Sequence, residues 1–262
     1  MASYVTVRHE TRARGRVAIV SIDNPKKLNS LSSEVMAQFV EAFRELAADP
    51  DLRAVVLTGA GDRAFIGGAN IDEMAELASP EAARVFILKV HGCCRAIRDL
   101  AVPVIAAVNG WCLGAGLEIA AACDMRLAAE TAVFGMPEVK LGLPSVVEAA
   151  LLPSLIGWGR TRRILMTGET FSAAQAAAWG LVEETHPPAL LFAAVEHLLD
   201  RLLEAEPRAV RIQKALIRAW EDLPVTGAIA AGVEAFEHAW TTDEPATALA
   251  RFLAERAAAK GR

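Results

Sequence analysis

The chain has 262 residues, of which 53% are apolar and 23% are charged. This composition argues against a disordered or a fibrous protein. The length is compatible with one large α/β domain that carries a smaller additional region. Lys and Arg number 27 against 32 Asp and Glu, giving a net charge of −5 without any basic block. This balance argues against nucleic acid as a default partner.

Neither the cysteines nor the histidines show the spacing of a disulfide framework or a metal site, so we predict no bound metal. We interpret the cysteines as buried apolar groups in a reducing compartment. They are Cys93, Cys94, Cys112 and Cys123.

Residues 100–117 carry no charge, but they contain Pro103 and several glycines that would break a helix in lipid. We expect a buried strand followed by a turn. No secretory signal precedes residues 17–22, so the expected location is the cytoplasm.

The first predicted strand is the β-branched run at residues 17–22, which Asn24-Pro25 ends. Ser33 is the expected N-cap of a helix that continues to about Ala48. Residues 54–58 predict a second strand, closed by a glycine-containing turn.

Ser79 followed by Pro80 is typical of a helix start, and the predicted helix runs to about Asp99. The apolar residues 103–108 form the third predicted strand, buried on both faces. Strands that alternate with helices indicate a parallel sheet in an α/β architecture.

From about Pro188 only helical periodicity remains, and three or four helices are expected there. The apolar stripe of the first comprises Leu191, Val195, Leu198 and Leu202. The later boundaries are Pro207, Pro224 and Thr242. We therefore predict a core with the active site at residues 1–187 and a helical region at 188–262.

Two carboxylates follow glycine-containing turns in apolar surroundings: Glu118 after Gly114-Ala-Gly116, and Glu138. The turn lacks the third glycine of a dinucleotide fingerprint. Burial raises a carboxyl pKa toward values useful for proton transfer, although a glutamate near a helix start is also a common partner of the helix dipole. Backbone N–H groups at residues 114–116 and at Ala69 favour a developing negative charge.

Several motifs in one order make the chain similar to the enoyl-CoA hydratase/isomerase, or crotonase, family. They are Asn24-Pro-Lys-Lys-Leu-Asn-Ser-Leu31, Ala64-Phe-Ile-Gly-Gly-Ala-Asn-Ile-Asp-Glu-Met74, Pro103-Val-Ile-Ala-Ala-Val-Asn-Gly110, Gly114-Ala-Gly-Leu-Glu118, Cys123-Asp124, Phe134-Gly-Met-Pro-Glu138 and Leu165-Met-Thr-Gly168.

The resemblance implies an α/β fold, a spiral of repeated ββα units with C-terminal helices that build trimers, often paired into hexamers. It implies a lyase of fatty acid metabolism that adds water across the 2,3 double bond of a 2-enoyl-CoA, giving a 3-hydroxyacyl-CoA. Coenzyme A is then part of the substrate, and no separate cofactor is expected.

The resemblance also implies roles for individual residues. The N–H groups of Ala69 and Ala115 match the oxyanion hole, Glu118 holds and polarises the water, and Glu138 supplies the proton to C2. Contacts to CoA are expected from Lys26, Lys27, Leu28, Ala64, Ile71, Phe236 and Phe252. By pattern alone, the lysines are equally typical of a solvated surface, and the phenylalanines are more typical of helix packing than of ligand contact.

Three departures from the family pattern stand out. Asn70 replaces a common Asp, and Ala115 replaces a common Gly. Residues 142–150 read Gly-Leu-Pro-Ser-Val-Val-Glu-Ala-Ala, where many members have Gly-x-x-Pro-Gly-x-Gly-Gly. The added Glu148 either caps the following helix or faces the pocket and alters specificity.

Two other functions stay open at this point. A double-bond isomerase of the same family can work with the carboxylate at Glu138 alone. A non-catalytic acyl-CoA-binding or RNA-associated scaffold belongs to another class, and the acidic balance and the intact site weigh against it.

Overall fold

A computed structural model describes residues 2–260 of the chain. These residues form two compact units, which divide between Leu199 and Asp200. The strands all lie in the first unit, and the second is helical.

The strands within the described part of the chain are β1 (Val5–Arg12), β2 (Gly15–Ile22), β3 (Leu52–Gly59), β4 (Ala64–Ile66), β5 (Val104–Val108), β6 (Trp111–Leu113), β7 (Met125–Ala129), β8 (Val133–Gly135), β9 (Thr170–Ser172) and β10 (Glu184–His186). The α-helices are α1 (Ser33–Ala47), α2 (Ile71–Ala75), α3 (Pro80–Asp99), α4 (Ala115–Ala122), α5 (Leu152–Thr167), α6 (Ala173–Trp179), α7 (Leu191–Glu204), α8 (Pro207–Asp222), α9 (Val225–Ala239) and α10 (Glu244–Lys260). Short 3-10 helices cover Pro25–Lys27, Pro137–Leu141, Val147–Leu151 and Pro188–Leu190.

Two sheets form the frame of the first unit. The larger has the strand order β1-β2-β3-β5-β7-β10 and is parallel except for β1, which pairs antiparallel with β2. The smaller has the order β4-β6-β8-β9, with β9 antiparallel. The pairs β3–β4, β5–β6 and β7–β8 each place one strand in either sheet before the next helical segment. This is the repeated ββα arrangement that the family resemblance implies.

The three predicted strands correspond to β2, β3 and β5, and β5 is buried along its whole length as expected. The predicted start of α3 is also confirmed, because the Ser79 hydroxyl accepts from the Ala82 N–H at 3.1 Å. That helix ends at Asp99, as predicted.

The predicted cap of α1 is wrong by one residue. Ser32 is the N-cap, since its backbone is extended and its hydroxyl accepts from the Val35 N–H at 3.3 Å. Ser33 is the first helical residue, and its side chain bonds to Glu73 instead.

The buried stripe of α7 is rotated from the predicted one. Leu191, Val195 and Leu199 are buried, whereas Leu198 and Leu202 are only partly covered. The buried residues of this helix therefore recur at every fourth position. The first compact unit thus extends past residue 187, into α7.

Helix α4 lies wholly inside the first unit, and all eight of its residues are buried. Its approach to β4 depends on Gly116, because a Cβ there would overlap the backbone carbonyl of Ile66. The predicted cysteine burial is confirmed, as all four thiols are buried.

No helix within residues 2–260 is both long and apolar enough to cross a bilayer.

We expect Gly116→Ala to lower the free energy of unfolding by about 1–3 kcal/mol, because the added methyl must displace backbone. Urea unfolding followed by circular dichroism measures this. The matched control is Gly92→Ala in α3, where the new Cβ would lie 3.9 Å from Val40 Cγ2, an ordinary contact. That control should be neutral or stabilising by up to about 1 kcal/mol. Equal effects of the two changes would contradict the packing argument.

Candidate active site

A cavity of about 520 Å³ opens into the first unit, between the N-terminus of α4 and the helices α2 and α3. All four residues predicted to be catalytic line it: Ala69, Ala115, Glu118 and Glu138. Most of the remaining wall is apolar. The structure therefore brings two turns and two carboxyl groups, widely separated in the chain, to one pocket.

The backbone N–H groups of Ala69 and Ala115 supply two hydrogen-bond donors at this cavity. A parallel bridge fixes Ala69: the Leu31 N–H donates to the Gly68 carbonyl at 2.9 Å, and the Asn70 N–H donates to the Leu31 carbonyl at 2.9 Å. Ala115 is the first residue of α4, where an N–H has no partner in its own helix. Within residues 2–260, neither N–H donates to another group.

Asn70 keeps the turn at Ala69 in place. Its side chain caps α2 by accepting from the Glu73 N–H at 3.1 Å. The Glu73 carboxylate in turn accepts from the Ser33 N–H at 2.7 Å. Asn therefore performs the capping that an Asp at this position could also perform.

Glu118 lies in the first turn of α4 and is 4% exposed. It accepts from the Ala149 N–H at 3.3 Å and also from the Val146 N–H. Burial, followed by the charges of Glu138 and Glu148, raises the pKa of Glu118 to about 8, while the two backbone bonds oppose the rise. This carboxyl therefore holds a proton at neutral pH.

Glu138 comes from the 3-10 helix Pro137–Leu141 and lies against the start of α4. Its Oε2 accepts from the Ser145 hydroxyl at 2.7 Å. A side chain at position 114 would overlap Oε1 of Glu138, and Gly114 itself has a φ of 51°. Glycine at this position thus admits the second carboxylate to the helix N-terminus.

The residues predicted to contact CoA are only partly brought to the cavity. Ile71 lines it, whereas Lys26, Lys27, Leu28 and Ala64 are absent from the part of its lining that the structure describes.

The segment that contains the two lysines is nevertheless tied to the cavity wall. Lys27 Nζ lies 2.6 Å from Asp72 Oδ2 in α2, and the Leu28 carbonyl accepts from the Gly67 N–H at 2.8 Å. Ala64 is buried in β4, and its carbonyl accepts from Asn29 Nδ2 at 2.8 Å.

Phe236 and Phe252 belong to the second unit, in α9 and α10, and are 70% and 60% exposed.

Glu148 takes neither role expected of it. It lies in the first turn of the 3-10 helix Val147–Leu151 but makes no capping hydrogen bond there or to α5, and it is not among the described residues that line the cavity. Its Oε1 lies 2.8 Å from Nδ1 of His91, in α3. The charged group is thus turned toward α3, behind Glu118.

Sequence reasoning missed the hydroxyl partner of Glu138 and most of the apolar wall. Ser145 occupies the segment that departs from the family pattern, so no motif marked it. The missed wall residues come chiefly from α2, α3 and the loop after Glu138: Met74, Phe86, Ile87, Val90, Leu141 and Leu143. On α3 their helical spacing was the available signal.

Across the described residues, no group of three or more His, Cys, Asp or Glu side chains is arranged to hold a metal ion.

Comparison with known proteins decides the family. The profile of the enoyl-CoA hydratase/isomerase family matches residues 12–260. The chain belongs to this family. It is 36% identical over 245 residues to a short-chain-enoyl-CoA hydratase of Clostridium acetobutylicum, covering 92% of this chain and 93% of that protein. It is 34% identical over 244 residues to a crotonyl-CoA hydratase of Syntrophomonas wolfei, covering 93% and 94%.

The fold of this chain is also similar to the folds of solved structures. The crystal structure of an enoyl-CoA hydratase from Bacillus anthracis superimposes with a TM-score of 0.90 at 30% identity, covering 97% of each chain. The predicted crotonase-like α/β class is confirmed.

We expect Glu118→Gln to stabilise the protein increasingly as pH rises. Folding raises the pKa of Glu118 from 4.5 to about 8, so the wild-type fold loses free energy of unfolding across that interval. Glutamine has no such titration, and the difference between variant and wild type should grow by a few kcal/mol between pH 4.5 and 8. Urea unfolding at both ends of the interval tests this, with Glu184→Gln, an exposed glutamate, as the control. A difference that does not change with pH would contradict the assignment.

Proposed function

We propose that this protein is an enoyl-CoA hydratase, which adds water across the 2,3 double bond of a 2-enoyl-CoA to give a 3-hydroxyacyl-CoA. One observation carries the proposal: two carboxyl groups and two uncommitted backbone N–H donors face a single apolar cavity. The names of the hydratase relatives agree with it. Those relatives also suggest a short acyl chain as the first substrate to test.

The N–H groups of Ala69 and Ala115 act on the thioester oxygen. When water attacks C3, the electron pair of the double bond moves toward that oxygen, which becomes negative. Each preorganised donor to such an oxyanion contributes about 2.7–4 kcal/mol to stabilising the transition state. The partial positive charge at the N-terminus of α4 acts in the same direction.

The two glutamates handle the protons. The oxygen of water bonds to C3, one proton of that water passes to the Glu118 carboxylate, and the Glu138 carboxylic acid protonates C2. The pair therefore contains one proton before and after addition. In the substrate-free site this proton lies on Glu118, whose pKa is about 8. The bound water passes it to Glu138 before addition begins.

Binding of the CoA portion is assigned to Lys26, Lys27, Leu28, Ala64 and Ile71. The lysines offer cationic contacts to phosphate despite the net charge of −5. The substrate then supplies all the CoA that the reaction needs, and no separate cofactor takes part.

We further propose a homotrimer or a dimer of trimers, working in the cytoplasm without nucleic acid or membrane as partner. Helix α9 supports assembly, because Val225, Ile229, Val233 and Phe236 are 65–77% exposed at helical spacing. An apolar stripe of this kind is typical of a protein interface. Phe236 and Phe252 are assigned to covering CoA from a neighbouring subunit.

Purified protein should hydrate crotonyl-CoA, which we expect to see as loss of the absorbance of the conjugated thioester. Glu118→Ala and Glu138→Ala should each lower kcat by about 10²- to 10⁴-fold, because each removes a proton-transfer group. Glu184→Ala is the matched control and should leave kcat unchanged, since this glutamate pairs with His186 outside the cavity.

Three outcomes would contradict the hydratase assignment. Full activity in Glu138→Ala would remove the proton donor from the mechanism. Conversion of a 3-enoyl-CoA that survives Glu118→Ala would indicate a double-bond isomerase. Tight CoA binding without proton exchange at C2 would indicate a binding protein.

The kcat/KM of the wild type should fall as pH rises through about 8, because the free enzyme then loses the proton that the glutamate pair shares. Initial rates at a substrate concentration well below KM, over a series of buffers, measure this decrease. A profile that stays flat well above this pH would show that the shared proton is not required.

A further inference from the structure

The segment after Glu138 lines the cavity and also contacts Glu118. Leu143, Ser145 and Val146 line the cavity. The chain then enters the 3-10 helix Val147–Leu151, which packs against α3, α4 and α5.

The backbone of this segment is strained at Val147, whose φ is 39°. A β-branched residue in this left-handed region is a clear outlier, whereas glycine adopts it without steric cost. Such a conformation persists only when surrounding contacts hold it. Counted from Gly142, the family pattern has glycines at positions 146, 148 and 149, so in this chain the residues beside the strained Val147 all carry side chains.

The neighbouring Glu148 makes such a contact. It is 8% exposed, and its Oε1 lies 2.8 Å from Nδ1 of His91 on α3. Its Oε2 is buried without a partner at hydrogen-bond geometry among the described residues, although the Cys94 thiol interacts with the same carboxylate. A buried carboxylate is costly in an apolar interior, and it stands where the family pattern has glycine.

The residues on either side of Val147 and Glu148 hold the reacting group. The N–H groups of Val146 and Ala149 both donate to the Glu118 carboxyl. The aim of these donors therefore depends on the conformation of the two residues between them.

We propose that Glu148, held by His91, is a positioning residue for Glu118: it fixes the strained turn that aims the Val146 and Ala149 N–H groups, and it presents a negative charge to that carboxyl. This inference rests on the proposed hydratase function. It gives the departure from the glycine pattern a role in the site, although Glu148 is not among the described residues that line the cavity.

Several titratable groups face Glu148. His91, Cys93 and Cys94 come from α3, and Glu118 comes from α4. Burial, assisted by the charge of Glu148, raises the pKa of both thiols, so they stay neutral. The same charge contributes to raising the pKa of Glu118. Its removal should lower that pKa.

The kinetic test compares Glu148→Ala with Glu148→Gln, using crotonyl-CoA and the full-length protein. Alanine removes the anchor, and kcat should fall about 10- to 100-fold with little change in KM, as for a misplaced catalytic group. Glutamine keeps the shape and the bond to His91, so it should retain most of the kcat. His91→Ala, at a half-exposed position, should lower kcat in the same direction even if Glu148→Ala folds poorly.

The exposed His186–Glu184 pair provides the control, and Glu184→Ala should change neither kcat nor KM.

A second measurement does not need turnover. Carbon-13 NMR of labelled glutamate follows the titration of Glu118, assigned by its loss in Glu118→Gln. The pKa should fall in both Glu148 variants and stay constant in Glu184→Ala. An unchanged Glu118 titration in Glu148→Gln, or an unchanged kcat in folded Glu148→Ala, would overturn the proposal. If the wild type hydrates no enoyl-CoA, the proposed function fails, and this titration still decides the role of Glu148.

Discussion

The close approach of α4 to β4 is the constraint on which the site depends. With no side chain at position 116, the helix start lies against the Ile66 backbone. That contact aims the Ala115 N–H into the cavity and sets the place of Glu118 one turn later. The adjacent Gly114 admits the Glu138 carboxylate to the same helix end. Two glycines thus bring both carboxyl groups and one N–H donor together.

This arrangement places a carboxyl group in a fully buried helix, where its ionised form is disfavoured. Backbone donors from Val146 and Ala149 compensate only in part, since burial and like charges still dominate the pKa of Glu118. The group is therefore poorly suited to stability and well suited to proton transfer near neutral pH. Catalytic carboxyls are commonly placed in such environments. The fold tolerates the cost because the surrounding core is extensive and apolar.

Much of the fold follows from patterns that a single sequence carries. The apolar strand β5 and the Ser-Pro start of α3 are local signals, and both are observed. Motif order predicted Ala69, Ala115, Glu118 and Glu138, which the structure brings to one cavity, although their catalytic roles stay predictions. Chain pattern could not distinguish Ser32 from Ser33 as a cap, because both are good capping residues and only the backbone angle decides.

Contacts between distant elements could not be predicted in this way. His91 and Glu148 are 57 residues apart and lie on different helical segments, so no spacing rule links them. The same holds for Ser145 and Glu138, whose hydrogen bond depends on how a short irregular loop closes. The buried residues of α7 were predicted less accurately, because apolar positions one residue apart fit a helical period almost equally well.

The bridge between Leu31 and Ala69 has a mechanical consequence. Three backbone hydrogen bonds connect the segment after Lys27 with the turn at Ala69: Gly67 to Leu28, Leu31 to Gly68, and Asn70 to Leu31. Under the proposed function, the lysine segment that receives the nucleotide end of the substrate is continuous with a donor to the reacting oxygen. Binding of the nucleotide end of the substrate therefore also helps to align the thioester oxygen with its N–H donor. A thioester truncated at its nucleotide end would consequently react more slowly even at saturation, as well as bind more weakly.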